Sequence, residues 1–160
     1  MFRLALPIAA IVLLADQLSK WWILTQVMDP PRDIAVTSFF VVVLALNKGI
    51  SFSQLGFVSP WILSVVALAI VGGLVAWLHR MRRPWPAIAI ACVIGGALGN
   101  VIDRVRFGAV VDFLYFHWRE WGWPAFNLAD SAITVGVAML LIDGLFHKAE
   151  KASNAPIQGG

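Results

Sequence analysis

Charge is what this sequence has least of. Only 13% of its 160 residues are Asp, Glu, Lys or Arg, against about 25% in an average soluble domain. A single cysteine excludes a disulfide scaffold and any multi-thiolate metal site. The three histidines, His79, His117 and His147, lie far apart, which argues against a histidine metal site or a Ser-His-Asp triad. No phosphate-binding glycine loop occurs. The net charge of +3 is small and scattered, so nucleic acid is not an expected partner. What fills the space left by charge is apolar: 60% of the chain is hydrophobic, with a mean hydropathy of +0.82. A soluble fold of this size cannot hide so much apolar surface, and disordered chains lack it. The composition describes an integral membrane protein.

A spanning helix needs roughly 20 mostly apolar residues. Four windows qualify: Leu4 to Leu24, Pro60 to Leu78, Pro86 to Ile102 and Ser131 to Phe146. A fifth stretch, Ile34 to Leu46, is too short and is rich in Val, Phe and Thr, so it reads as β-structure beside the membrane. The outer β-region is expected over residues 34–56. The second long connection, Asp103 to Asp130, carries Trp118, Trp121 and Trp123, a composition suited to the membrane–water interface. The expected fold is therefore mainly α, with four transmembrane helices, a small sheet outside the membrane and an interfacial loop or helix. Residues 1–148 are expected to form one membrane domain, and 149–160 a flexible tail on the cytoplasmic side.

Four spans place both termini on one side. Arg3, Arg80, Arg82, Arg83, Lys148 and Lys151 gather there, against Arg32, Lys48, Arg104, Arg106 and Arg119 opposite. The short arginine-bearing loop weighs most under the positive-inside rule, so the termini are expected in the cytoplasm and the long connections outside. The first apolar run continues past Asp16 to Lys20 with no small-x-small cleavage site, so it is expected to stay as a span.

Against this background the polar residues within the spans stand out, because a charge in hydrocarbon costs at least about 2.5–3.5 kcal/mol. Asp16 and Lys20 lie four apart on one helix face, either as an ion pair that docks the first span or as groups beside a site. Gly95 and Gly99 form a small-xxx-small pair for close helix packing. Gly96, Asn100 and Arg104, also spaced by four, line one face that grows more polar toward the outer end. Asp130 opens the fourth span, where capping is a sufficient explanation taken alone. Asp112, between Val111 and Phe113, has no such explanation. If the loop returns Asp112 to the outer end of span four, the two carboxyls meet and share a proton. One can then act as a base on water while the other acts as an acid, as in an aspartic peptidase. Cys92 in mid-span reads as packing. Asp143, near the inner end of span four, reads as reaching toward water or a lysine.

Five motifs occur in order: Asp16-Gln17-Leu18-Ser19-Lys20; Asn47-Lys48-Gly49-Ile50-Ser51-Phe52; Gly95 through Arg104; Gly108-Ala109-Val110-Val111-Asp112-Phe113; and Phe126-Asn127-Leu128-Ala129-Asp130-Ser131. Together, over about residues 12 to 140, they resemble the bacterial lipoprotein signal peptidase family, signal peptidase II. The resemblance implies an inner-membrane aspartic peptidase with a small outer β-cradle. It would remove the signal peptide from diacylglyceryl-modified prolipoproteins by cutting just before the lipidated cysteine. By match to the motifs, Asp112 and Asp130 fall on the catalytic pair. Asp16, Lys20, Asn47, Gly96, Asn100, Asp103, Arg104, Asn127 and Ala129 fall on positions that line or support the substrate pocket. No metal or cofactor is implied; the expected partners are prolipoproteins and membrane lipids, and the expected state is a monomer. A lid over the site is one role for Trp118 to Pro124. Two rival readings remain. A small transporter would want polar groups through the full depth of the bundle, whereas the inner halves of spans two and three are nearly all apolar. A non-enzymatic assembly factor leaves two embedded aspartates unexplained. A presenilin-like or prepilin-type peptidase would need Gly-x-Gly-Asp, which is absent.

Overall fold

Four long apolar helices account for most of the chain in a computed structural model that describes residues 1–49 and 59–153, with the side chains of the last helix described through residue 146. They are α1 (Phe2–Trp22), α2 (Pro60–Arg80), α3 (Pro84–Phe107) and α4 (Leu128–Ser153). Each is long and apolar enough to cross a membrane. All four expected spans are present, and α3 and α4 run beyond the expected limits at the end that carries the site. Residues 149–153 of the expected tail continue α4; its remainder, 154–160, and residues 50–58 of the expected outer β-region and Asn47–Phe52 motif, lie outside the described residues.

α3 is the central helix. Two-thirds (67%) of its apolar window is buried within the protein, against 11% in each of the other three helices, which turn their apolar surface outward. Glycines make this centrality possible. A Cβ on Gly95 would meet the Ala9 carbonyl at 2.6 Å, and one on Gly96 would run into the Ala129 carbonyl. α1 and α4 therefore approach the α3 backbone closely from two sides. At the end where Phe2 meets His79, Arg83 forms a two-pronged pair with Asp143, at 2.9 and 2.8 Å. Asp143 thus pairs with an arginine at the entry to α3, a partner the sequence alone did not single out.

The opposite end carries a four-stranded antiparallel sheet in the order β1 (Ile34–Ala35), β2 (Phe40–Asn47), β3 (Val110–Trp118) and β4 (Trp121–Gly122). β2 begins within the apolar stretch expected to be β-structure. The connection expected as interfacial loop or helix is instead largely strand: β3 continues the sheet, and Arg119, with φ of 55°, turns it into β4. Two local features aim β3. Gly108, at φ 69°, takes the left-handed cap position after α3 and donates its N–H to the Arg104 carbonyl at 3.0 Å. β2 then carries one extra residue against β3, since Val42 faces Leu114 while Ala45 faces Asp112. Such a bulge bends the strand and increases its twist. Beneath the sheet, Phe113 packs on Ile23 and Met28, where α1 ends in a π-helical turn over Ile23–Val27.

Candidate active site

The end of α3, the start of α4 and the first half of β3 converge, and each contributes polar side chains that the protein buries. Asp112 is 2% exposed and Asn127 is fully buried, while Asp130 is half-buried. One residue holds both aspartates. The Asn127 side-chain amide donates to Asp112 Oδ1 at 2.7 Å, and its backbone N–H donates to Asp130 Oδ2 at 3.2 Å. In return, the Asn127 side-chain oxygen accepts the backbone N–H of Asp130 at 3.0 Å. Because α4 starts at Leu128, this is a reciprocal capping box, with Asn127 as cap and Asp130 three residues on. Capping and proximity to Asp112 are therefore both true of Asp130, through a single neighbour.

The remaining oxygens are also held. Asn47 Nδ2 donates to Asp112 Oδ2 at 3.1 Å, and Asn100 Nδ2 donates to Asp130 Oδ1 at 2.7 Å. The direction of the Asn100 amide follows from a neighbour that can only donate. Lys20 Nζ lies 3.2 Å from Asn100 Oδ1, so the oxygen must face the ammonium and the NH₂ must face Asp130. Asn127 Nδ2 donates to the same oxygen at 3.2 Å.

Lys20 in turn sits between two buried carboxylates, 2.9 Å from Asp16 and 2.8 Å from Asp103. The other Asp16 oxygen accepts the Ala129 N–H at 2.9 Å, tying α1 to the first turn of α4. Asp103 Oδ2 also accepts the Val111 N–H at 3.1 Å, tying α3 to β3. Gln17, which the motif comparison passed over, donates to Asp103 Oδ1 at 3.0 Å and to the Gly99 carbonyl at 3.3 Å. Its only signal in the sequence is an amide inside an apolar run. The ion triad is therefore a clamp behind the aspartates, joining the elements that carry them.

Burial drives the Asp112 carboxyl up to about 6, and the nearby Asp130 charge adds to this. The amides of Asn47 and Asn127 and the Lys20 charge oppose it. Such a carboxyl holds a proton far more readily than an exposed aspartate.

Three hollows meet the two aspartates or the amides of Asn47 and Asn100. A groove of about 680 Å³ beside β2, β3 and β4 includes Asn47, Lys48, Asp112, Tyr115 and Trp121 in its wall. An apolar hollow of about 270 Å³ between α2, α3 and α4 ends at Asn100 and Arg104. A third, of about 380 Å³, runs along α4 from Trp123 past Asp130. Arg104 faces the charges of Asp130, Asp103 and Asp112, and its buried Nε has no hydrogen-bond partner among the described residues. Of the expected site residues, Asp112, Asp130, Asn47, Asn100 and Arg104 line these hollows. Asp16, Asn127, Gly96 and Ala129 sit behind them, the last two pressed against each other, while Lys20 and Asp103 line a separate hollow of about 220 Å³ beside Gln17. Trp121 to Pro124 form one wall of the sheet groove.

Four spans that carry a cluster of buried carboxylates and amides at one end, beside a small sheet, define a multi-pass membrane protein with a built polar site. Residues 8–146 match the family described as signal peptidase (SPase) II. A lipoprotein signal peptidase of Syntrophotalea carbinolica is 44% identical, covering 92% of this chain and 97% of that protein. One from Azoarcus sp. is 48% identical, covering 94% and 89%. A bacterial membrane enzyme solved by the in meso method superposes with a TM-score of 0.79 at 29% identity, covering 98% of this chain and 93% of the other. The chain belongs to the signal peptidase II family, and it is a membrane peptidase.

Proposed function

We propose that this protein is an aspartic endopeptidase that removes signal peptides from diacylglyceryl-modified prolipoproteins, cutting just before the lipidated cysteine, with Asp112 and Asp130 as the catalytic pair. The observation that carries the pair is Asn127, which hydrogen-bonds to both carboxylates while itself fully buried. The Asp130 charge acts on Asp112, and a carboxyl pair coupled in this way resists double ionisation, so that one proton serves both. The ionised member takes a proton from water as its oxygen attacks the scissile carbonyl, and the protonated member gives its proton to the carbonyl oxygen. Collapse of the resulting diol breaks the C–N bond, returning a hydroxyl proton to the second carboxyl while the first passes the proton it took from water to the leaving amine. The signal peptide keeps the new acid.

The surroundings suit such a substrate. The apolar hollow between α2, α3 and α4 is fit for acyl chains, with the open Nε of Arg104 at its end to receive a carbonyl or ester oxygen. The membrane is the bacterial inner membrane, the termini are cytoplasmic, and the site faces outward. Positioning by Asn47, Asn100 and Asn127, with Asp16, Lys20 and Asp103 supporting them, completes the assignment.

The test is cleavage of a diacylglyceryl-modified lipobox peptide by purified protein. Asp112→Asn and Asp130→Asn are each expected to lower kcat by at least about 10³-fold, the scale lost when one member of a cooperating catalytic unit is removed. Both variants should still insert in the membrane, and a chelator should have no effect. Near-normal cleavage by either variant would sink the pair.

A further inference from the structure

The sheet groove differs from the other two hollows in carrying a cation that the catalytic assignment does not use. Lys48 is exposed and stands in the groove wall, directly after Asn47. Asn47 is anchored at both ends: its amide donates to Asp112, and its side-chain oxygen accepts the Gly49 N–H at 3.0 Å, which turns the chain at Lys48. The ammonium is thus borne one residue from a group that touches the proposed catalytic pair. Asp112 is the only acid, and Lys48 the only base, among the described residues lining this groove. Lys48 is not among the charges that act appreciably on Asp112. Its exposed charge is open to whatever occupies the groove.

The occupant follows from the other two hollows. Acyl chains and an apolar signal segment both belong with apolar walls, which the hollows on α2–α4 provide. The part of the substrate beyond the cut is a polar chain that must leave the membrane. The groove beside the sheet, with its lysine, tyrosine and tryptophans, is the exit that suits it. An extended peptide advances about 3.3 Å per residue, so only the first few residues after the cysteine pass Lys48.

We propose that Lys48 forms a charge-selective subsite that favours an acidic side chain within the first three residues after the lipidated cysteine and disfavours a basic one. This rests on the peptidase reading above and deepens it. Lys48 acts on binding of the substrate's released end, not on the chemical step.

The experiment compares kcat/KM for diacylglyceryl-modified peptides identical except for Asp, Ser or Lys at the first three positions after the cysteine. With the wild-type protein the Asp peptide is expected to be cleaved about two- to fivefold better than the Lys peptide, the size of an exposed ion pair. The difference should shrink as salt rises. Lys48→Glu should invert the ratio and Lys48→Gln should flatten it, each judged against the same protein's rate on the Ser peptide. The salt series needs no variant, so a poorly folding substitution leaves the proposal open to refutation. Equal wild-type rates on all three peptides, or a ratio that Lys48→Glu leaves unchanged, would overturn the subsite while leaving the peptidase standing. Failure of the wild-type protein to cleave any of the three would overturn both.

Discussion

Asp112 owes its character to where it is put rather than to what it is. Removed from water in the folded protein, its carboxyl is pushed to about 6, whereas in an unfolded chain an aspartate titrates near ~3.9. The sign of the linkage follows. A carboxyl whose folded pKa lies above its unfolded value supports the fold while protonated, and that support is lost as pH rises from about 4 through about 6. Thermal unfolding in detergent should therefore show a fall in stability of about 3 kcal/mol across this window, and Asp112→Asn should remove most of it. If the variant follows the wild-type pH curve, the burial argument is wrong. Activity should share the window, with the alkaline limb of kcat/KM near the pKa of the free pair. Asn127 is the second residue on which the site turns. Asn127→Ala removes the helix cap, costing about 1 kcal/mol, and also frees both carboxylates. The loss of kcat is expected to exceed 10²-fold, well beyond what the stability change alone would produce. A variant that loses only stability would reduce Asn127 to a cap.

α3 and α4 illustrate how helix contact becomes site geometry. Ala129 presses its carbonyl against Gly96 and gives its N–H to Asp16, so the first turn of α4 is gripped from two helices. Asp130 is the next residue. Gly96→Val would force α4 away from α3, and a cost of about 1–3 kcal/mol is expected for such overpacking. Because the displaced turn carries Asp130, cleavage should drop by at least about 10²-fold even where the protein still purifies intact. Retained activity would mean that the helices tolerate a wider spacing than the contact implies. The sheet shows the same coupling in a different form. The left-handed cap at Gly108 and the bulge opposite Asp112 together decide which way the β3 carboxylate points. The Gly108–Phe113 motif names the glycine and the acid, but a bulge depends on the partner strand some 65 residues earlier, where nothing in the local pattern announces it.

The four helices alternate in direction, so the sheet and the site share one end while Arg83, Asp143 and both outer helix termini share the other. Which end faces the cytoplasm is a matter of charge, and the short loop with Arg80, Arg82 and Arg83 argues for the end away from the site. Single cysteines placed in a Cys92→Ala background test this. In intact cells with a permeabilised outer membrane, Arg119→Cys in the exposed β3–β4 turn should react with a membrane-impermeant thiol reagent, and Arg82→Cys should react only after lysis. The reverse pattern would invert the orientation and with it the route of the substrate.

How much of this was legible in the residues depends on the range of the forces involved. Hydrocarbon imposes long apolar helices and makes every embedded charge expensive. The four spans, the strand-like stretch before Asn47 and the short roll of polar residues worth attention were therefore readable from order alone. The motif order also singled out Asp112 and Asp130. Nothing local could divide the remaining residues between those that line a hollow and those that brace it. Asp16 meets Ala129 across 113 positions, Lys20 meets Asn100 across 80, and Gln17 meets Asp103 across 86. Such partners are chosen by how helices cross, and hydrogen bonds act over only about 3 Å. Sequence order thus settled that the protein lives in a membrane and which groups are costly enough to matter. Only the packed bundle decided that Asn127 holds both aspartates, that an ion triad clamps the elements behind them, and that Lys48 opens into the groove.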